Sequence, residues 1–200
     1  EGRRVREFSR RHFQLAVRYA RRFAPPRLVV VGGLIGMGKS TLAKALARAL
    51  GATWLRTDDI RLREFARFRR PTQGVGGGLY APHVSDLVYQ RLIRRAEALV
   101  RAGHSVVCDG MFAKASGREA LRAVARQHDA SFHFFECTVP RAVALRRVAR
   151  RYALKTDLSE ARPEHYDRLR AGYEAVRGWS VVDWTRLSDN RSPRATLRSA

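Results

Sequence analysis

Lysine is almost missing from this chain, and acidic side chains are scarce. Of 40 basic residues only Lys39, Lys44, Lys114 and Lys155 are lysines; the acids number 18, leaving a formal charge of +22 at pH 7. An arginine surplus of this size neutralises phosphates where it is clustered. Replacement of lysine by arginine throughout a chain is also what GC-rich codon usage produces, and the near absence of lysine points there for most of the excess. Two cysteines, Cys108 and Cys137, are too few for a disulfide framework or a cysteine-built zinc site, and both lie in apolar runs. A reducing cytoplasm is the expected setting. No apolar run approaches the ~18 residues of a membrane-crossing helix, and no signal peptide with an apolar core opens the chain. A soluble protein without a membrane partner is expected.

What is present is a globular composition, 45% hydrophobic and 29% charged over 200 residues, the length of one domain with an appendage. Positions Val5, Phe8, His12, Leu15, Tyr19 and Phe23 recur every three or four residues and predict an amphipathic helix over 5–23, arginine-rich on its other face. Pro25 and Pro26 end it. The organisation read from this is a linker helix over 1–26, a folded domain over 27–185 and a basic tail over 186–200. The first residue is Glu1 rather than Met, from which a longer or processed product is expected, with an upstream domain or partner against the linker helix.

Within 27–185, apolar β-branched runs alternate with Ala- and Leu-rich helical patterns. Strands are predicted over 28–31, 53–56, 105–108, 131–137 and 181–184. Helices are predicted over 39–50, 58–68, 82–102, 115–127, 141–151 and 164–176, with a glycine-rich loop over 71–82. This alternation specifies an α/β fold: a parallel sheet of about five strands sandwiched by helices, preceded by the amphipathic helix.

The sharpest motif is Gly33-Leu34-Ile35-Gly36-Met37-Gly38-Lys39-Ser40, followed by Thr41. It satisfies GxxxxGKS, the P-loop or Walker A pattern, and it stands where that pattern must stand, between a strand and a helix. Free backbone N–H groups and the positive end of the helix dipole favour phosphate there. Lys39 brings a charge to the β- and γ-phosphates of a nucleotide, and the Ser40 hydroxyl is a ligand for Mg²⁺. The second strand ends in Thr57-Asp58-Asp59-Ile60-Arg61. An aspartate there caps the next helix, takes the proton of an acceptor hydroxyl, or does both, while Arg61 steadies the acceptor or the moving phosphate. The third strand ends in Asp109, the Walker B layout, which holds Mg²⁺ or its water. The helix over 141–151 carries Arg141, Arg146, Arg147, Arg150 and Arg151 and no acid, so it reads as a solvated basic face or as a phosphate-facing lid.

On these residues the chain resembles the AAA-type P-loop kinase-like family, which includes the kinase domain of polynucleotide 5′-kinases and, more distantly, zeta toxins and gluconate kinases. GGLIGMGKST, TDDIR and CDGMF carry the likeness, which runs from about Leu28 to Trp184. It is most similar to the C-terminal ATP-binding domain of two-domain bacterial proteins whose N-terminal half is aminoglycoside-phosphotransferase-like. The resemblance implies Asp58 as general base, Arg61 as acceptor-side arginine, Asp109 as metal-side aspartate and lid arginines among Arg147, Arg150 and Arg151. Met37 and Gly110 depart from the family's commoner residues, which touches fine geometry and not nucleotide binding.

The expected activity is transfer of the γ-phosphoryl group of Mg·ATP to a hydroxyl, with a small molecule as acceptor. Two alternatives stand beside it. A polynucleotide 5′-hydroxyl kinase requires a basic groove with stacking platforms, for which Trp54 and Trp179 are the candidates if they are not core. A non-catalytic ATP-binding regulatory module requires only the nucleotide site. A closed pocket under the Gly74–Gly78 loop, with Tyr80 and His83 at its mouth, favours the small acceptor.

Overall fold

The computed structural model describes residues 25–68, 78–154 and 162–188. The helix expected over 5–23, most of the glycine-rich loop and the end of the basic tail lie outside these residues.

Five strands form one sheet: β1 (Arg27–Gly32), β2 (Thr53–Arg56), β3 (Val106–Asp109), β4 (Ser131–Thr138) and β5 (Trp184–Ser188), in the order β2-β3-β1-β4-β5. Every pairing is parallel. β1 reads as an unbroken apolar run because both its faces are covered. Leu28 and Val30 enter one core and Val29 and Val31 the other, as the period of two requires.

The helices α1 (Lys39–Leu50), α2 (Thr57–Glu64), α3 (Pro82–Arg101), α4 (Ala115–Gln127), α5 (Arg141–Leu154) and α6 (Tyr166–Ala171) fill the connections. In α3, Val84, Val88, Leu92, Ala96 and Val100 are buried at intervals of four, one stripe of the helix turned to the sheet. Each large member of that stripe contributes about 1.5–3 kcal/mol by leaving water. α3 and α4 supply one core with Phe112 and Phe134, and α1 and α5 supply the other with Tyr166.

The structure departs from the sequence expectation late in the chain. The helix expected over 164–176 is a 3₁₀ turn (Pro163–His165) and the short α6, ending at Gly172. Beyond it Glu174 is drawn into contact with the loop before α4, its N–H on the Ala113 carbonyl at 2.9 Å. The strand expected over 181–184 begins instead at Trp184. Val181 and Val182 are 85% and 74% exposed in a turn closed by Asp183 and Trp184 N–H groups on the Ser180 carbonyl. Their β-branched side chains lack a sheet neighbour, so propensity alone does not make a strand. Likewise the helix expected over 58–68 stops at Glu64, and a 3₁₀ turn (Ala66–Phe68) follows.

The connections that leave β1 and its neighbour β3 run to opposite sides of the sheet, to β2 and to β4, so the C-terminal edge of β1 and β3 is the switch point where open α/β sheets bind ligands. All the polar motifs gather there.

Candidate nucleotide and acceptor site

The turn from β1 into α1 is pressed against its neighbours. Gly33, Gly36 and Gly38 have φ of 128°, 75° and 87°. A Cβ on Gly33 would collide with the Cys137 carbonyl oxygen and one on Gly36 with the Ala144 carbonyl oxygen. Glycine is therefore required at both by backbone angle and by space. Met37 is buried, and its Sδ accepts the Val139 N–H at 3.1 Å, so its thioether ties the loop to the end of β4. No side chain caps α1 and no acid lies in its first turn, which leaves its N-terminal amides for an anion.

Lys39 is partly buried and donates to the Leu34 carbonyl at 2.8 Å. Burial holds its ammonium below the ordinary lysine range, opposed chiefly by the Asp109 carboxylate. Asp109, at the end of β3, is 3% exposed. Burial pushes its pKa up; Lys39, a hydrogen bond with the Ser40 hydroxyl and Arg56 pull it back. Its Oδ2 is buried without a hydrogen-bond donor. A carboxylate oxygen of this kind beside a hydroxyl is a set of hard oxygen ligands suited to Mg²⁺. Among the described residues no group of three His, Cys, Asp or Glu side chains could hold a metal alone, so the remaining ligands of such an ion would come from water and substrate phosphate.

Arg56 was not among the sequence candidates. It closes β2 directly opposite Asp109 in the sheet register, with its Nε 3.5 Å from Asp109 Oδ2 and its Nη1 3.6 Å from Asp59 Oδ1. Its guanidinium lies over the Trp54 ring. The signal that could have found it is its place at the C-terminal end of a parallel strand. This pairing also separates the two neighbouring aspartates. Asp59 meets Arg56, whereas Asp58 joins Lys39, Ser40 and Asp109 in lining a cavity of about 660 Å³.

Arg61 reaches the cavity from within the protein. It is buried, donates through Nη1 to the Leu79 carbonyl and, at 3.4 Å, to Ser85 Oγ, and stacks on the Tyr80 ring. Its Nε is buried without a hydrogen-bond acceptor. Of the lid candidates, Arg151 lines the cavity and the Arg147 Nη1 lies beside Gly38, 3.7 Å from where a Cβ would stand. Arg150 is exposed on another face of α5. The helix's lack of internal acids is partly answered from outside it, since Arg141 pairs with Asp167 of α6 at 2.6 Å.

Tyr80 lines the cavity; His83 does not, and packs edge-on against Phe68. Trp179 packs against Phe132 and Phe134 and donates to Glu119 at 2.6 Å, and Trp54 packs beside the second core. Neither tryptophan lines the cavity. The wall after β3 is a shaped loop. Phe112 has φ of 47°, and its N–H donates to the Tyr89 hydroxyl at 2.8 Å. Arg118, 1% exposed, donates to the carbonyls of Phe112 (2.8 Å), Ala113 (3.3 Å) and Glu174 (2.9 Å). Gly110 passes so close to Thr57 that a Cβ would lie 2.7 Å from its Cγ2.

Comparison with known proteins finds relatives of the chain and of its fold. The uncharacterized protein Rv2004c of Mycobacterium tuberculosis (strain ATCC 25618 / H37Rv) is 33% identical over 149 residues, 74% of this chain. The chain spans 30% of the length of that relative. Among solved structures, a sugar kinase from Janibacter sp. HTCC2649 superposes with a TM-score of 0.64 at 21% identity, over 88% of this chain and 92% of the other. The Mycobacterium tuberculosis APS kinase CysC, in complex with AMPPNP and APS, does so with a TM-score of 0.64 at 22% identity, over 88% and 95%. At such identities the likeness is one of fold. The sequence profile of the AAA domain (AAA_33) matches residues 28–176, three quarters of the chain, and the protein belongs to that family.

Proposed function

We propose that this domain is an ATP-dependent phosphotransferase that moves the γ-phosphoryl group of Mg·ATP to the hydroxyl of a small molecule. The observation that carries the reading is one cavity lined by Lys39, Ser40, Asp58 and Asp109 at the mouth of an uncapped helix. The amides of Leu34–Ser40 hold the β- and γ-phosphates, while the Gly33 and Thr41 N–H groups, on the Met111 and Gly38 carbonyls at 3.1 and 3.2 Å, shape the turn, and the Lys39 ammonium leaves the Leu34 carbonyl for the phosphates. Ser40 and Asp109 would hold Mg²⁺, whose chemistry is to neutralise charge building between the β- and γ-phosphates. Arg147 and Arg151 add positive charge from α5. Asp58 accepts the acceptor's proton as its oxygen bonds to Pγ; the Pγ–O bond to the β-phosphate breaks, and ADP leaves with the electron pair. Arg61 keeps a buried Nε donor for the acceptor oxygen. Positioning and fixed charge of this kind supply most of the catalysis in phosphoryl transfer.

The kinases among the structural neighbours support the reaction class. The small acceptor, in preference to a polynucleotide 5′-hydroxyl, is supported by the two tryptophans that would have been stacking platforms: both pack away from the cavity. A purely regulatory ATP module would have no use for a carboxylate such as Asp58 in the cavity. We also read the domain as cytoplasmic and as one part of a larger protein, with an aminoglycoside-phosphotransferase-like half as the candidate partner. The test is incubation with γ-labelled ATP and a panel of hydroxyl compounds and 5′-hydroxyl oligonucleotides. Label is expected in a small molecule, and Lys39→Ala is expected to abolish it. Transfer to oligonucleotides alone, or an unaltered Lys39→Ala, would overturn the assignment.

A further inference from the structure

Resting on the phosphotransferase reading, we infer that Arg118 is a positioning residue for phosphoryl transfer. Its guanidinium sits behind the cavity wall and fixes the loop between Asp109 and Ala115, which joins the metal-side aspartate to the P-loop and to α2.

Asp109, Gly110, Met111, Phe112, Ala113 and Lys114 all line the cavity, so this loop is one of its walls. Its links to the rest of the site are close. The Gly110 N–H donates to the Val31 carbonyl at 3.3 Å, and the Met111 carbonyl accepts the N–H of Gly33 in the P-loop at 3.1 Å. Gly110 also passes against Thr57, the residue before Asp58. From the side of α3, Phe112 is held by Tyr89, whose hydroxyl accepts its N–H at 2.8 Å. From the side of α4 it is held by Arg118, which donates to the Phe112, Ala113 and Glu174 carbonyls at 2.8, 3.3 and 2.9 Å. The Glu174 N–H returns to the Ala113 carbonyl at 2.9 Å. The segment after α6 and the loop are thereby laced together around one guanidinium.

This arrangement costs stability in three ways. Arg118 is wholly buried, and among the described residues no carboxylate pairs with it; a buried charge without an opposite charge is expensive, and apolar side chains often replace such groups without loss. Its place in the first turn of α4 sets that charge at the positive end of the helix dipole. Phe112, a bulky residue, is held at φ of 47° in the left-handed region. A position that only had to fill the core would need none of these. What they secure is the course of the loop, because the planar fork of an arginine reaches three carbonyls at once and a single ammonium does not reproduce its geometry. The P-loop is also held on its far side, by Met37 Sδ on the Val139 N–H and by Gly36 against Ala144. Nucleotide binding is therefore separable from the wall that Arg118 sets.

The test uses the whole chain with Arg118→Lys, which keeps the charge on one nitrogen, and Arg118→Met, which keeps bulk and no donor. Amide hydrogen exchange is followed by NMR. Gly33 and Phe112 are expected to speed up at least about tenfold more than Val30 and Leu92 of the core, because a loop that loses its holder opens locally. Total release of label from γ-labelled ATP, to water and to the hydroxyl compounds together, is expected to fall about tenfold to a hundredfold, the scale of a misplacement of about 1 Å. ADP affinity is expected to stay within about threefold. Arg122→Lys, one turn further along α4 and paired with Asp183, is expected to match wild type in label release and in exchange at Gly33 and Phe112. Equal acceleration of all four amides reduces Arg118 to a stabilising residue and overturns the proposal, as does unchanged exchange at Gly33 and Phe112 or unchanged label release. If Arg118→Met does not fold, Arg118→Lys alone decides. Absence of label release in wild type overturns the phosphotransferase reading, and acceleration confined to Gly33 and Phe112 then keeps Arg118 as the residue that sets the wall.

Discussion

Asp58 and Asp59 are the same residue type one position apart, and the first turn of α2 points them to different partners. Asp59 faces Arg56 with a third of its side chain exposed, while Asp58 lines the cavity with Lys39. A positioned base contributes about 10²–10⁴-fold. Asp58→Asn is therefore expected to lose transfer on that scale while retaining ATP affinity, measured by turnover and by nucleotide titration. Asp59→Asn removes a long, partly exposed ion pair worth ~1 kcal/mol or less and is expected to keep turnover within roughly fivefold. The arginines of α5 divide by the same logic. Arg147 and Arg151, four residues apart, share the face turned to the P-loop, and Arg150 does not. Alanine at Arg147 or Arg151 is expected to lower kcat at least about tenfold, by analogy with the loss of one charge-stabilising donor, and Arg150→Ala to match wild type in the same assay.

Among elements, the P-loop turn is the one whose geometry leaves least latitude. Two of its glycines differ from an ordinary C-cap glycine in what surrounds them. Gly51 also has a positive φ, 62°, but a Cβ there meets nothing within 4 Å, so Gly51→Ala carries only backbone strain of about 1 kcal/mol. Gly36→Ala adds a collision with the Ala144 carbonyl to strain of ~1–3 kcal/mol and is relieved only by moving the loop from α5. Thermal unfolding is expected to show the larger loss for Gly36→Ala, accompanied by loss of ATP binding, and a smaller loss with ATP binding intact for Gly51→Ala. Elements of this kind are legible in sequence because their requirements are local. The runs that make β1, β3 and β4 and the glycines of the turn announce themselves within ten residues. Val181 and Val182 mislead because a strand also needs a neighbour, and β4 pairs with Trp184–Ser188 instead. Arg56 and Arg118 were silent for a related reason. Arg56 depends on the β2–β3 register, and Arg118 on Glu174, 56 residues away.

For the molecule as a whole, part of the arginine content serves the few acids. Glu64 is held by Arg91 and Arg95, Asp183 by Arg122, Glu136 by Arg186 and Asp167 by Arg141, so scarce acids are each taken up by arginine from another element. The two cysteines report on how firmly these elements hold together. Cys108 belongs to the core beneath α3 and α4, Cys137 to the one beneath α1 and α5, with the sheet between them. Burial raises both thiols, Cys137 from its ordinary 9 to about 11 and Cys108 further. A thiol raised by folding adds stability below 9 and surrenders it as pH climbs through about 11, so alkaline solution is expected to weaken the fold. At pH 8 both thiols are expected to react with a disulfide reagent only on unfolding, at one denaturant midpoint shared with the loss of helix by circular dichroism. Because the Cys137 carbonyl packs against Gly33 of the P-loop, ATP bound there favours the closed state. Saturating ATP is expected to shift both thiol midpoints upward together, the unfolding free energy rising by RT ln(1 + [ATP]/Kd) and the midpoint by that amount divided by the denaturant slope. A shift confined to Cys137 would mean that the two layers open separately and that the sheet does not couple them.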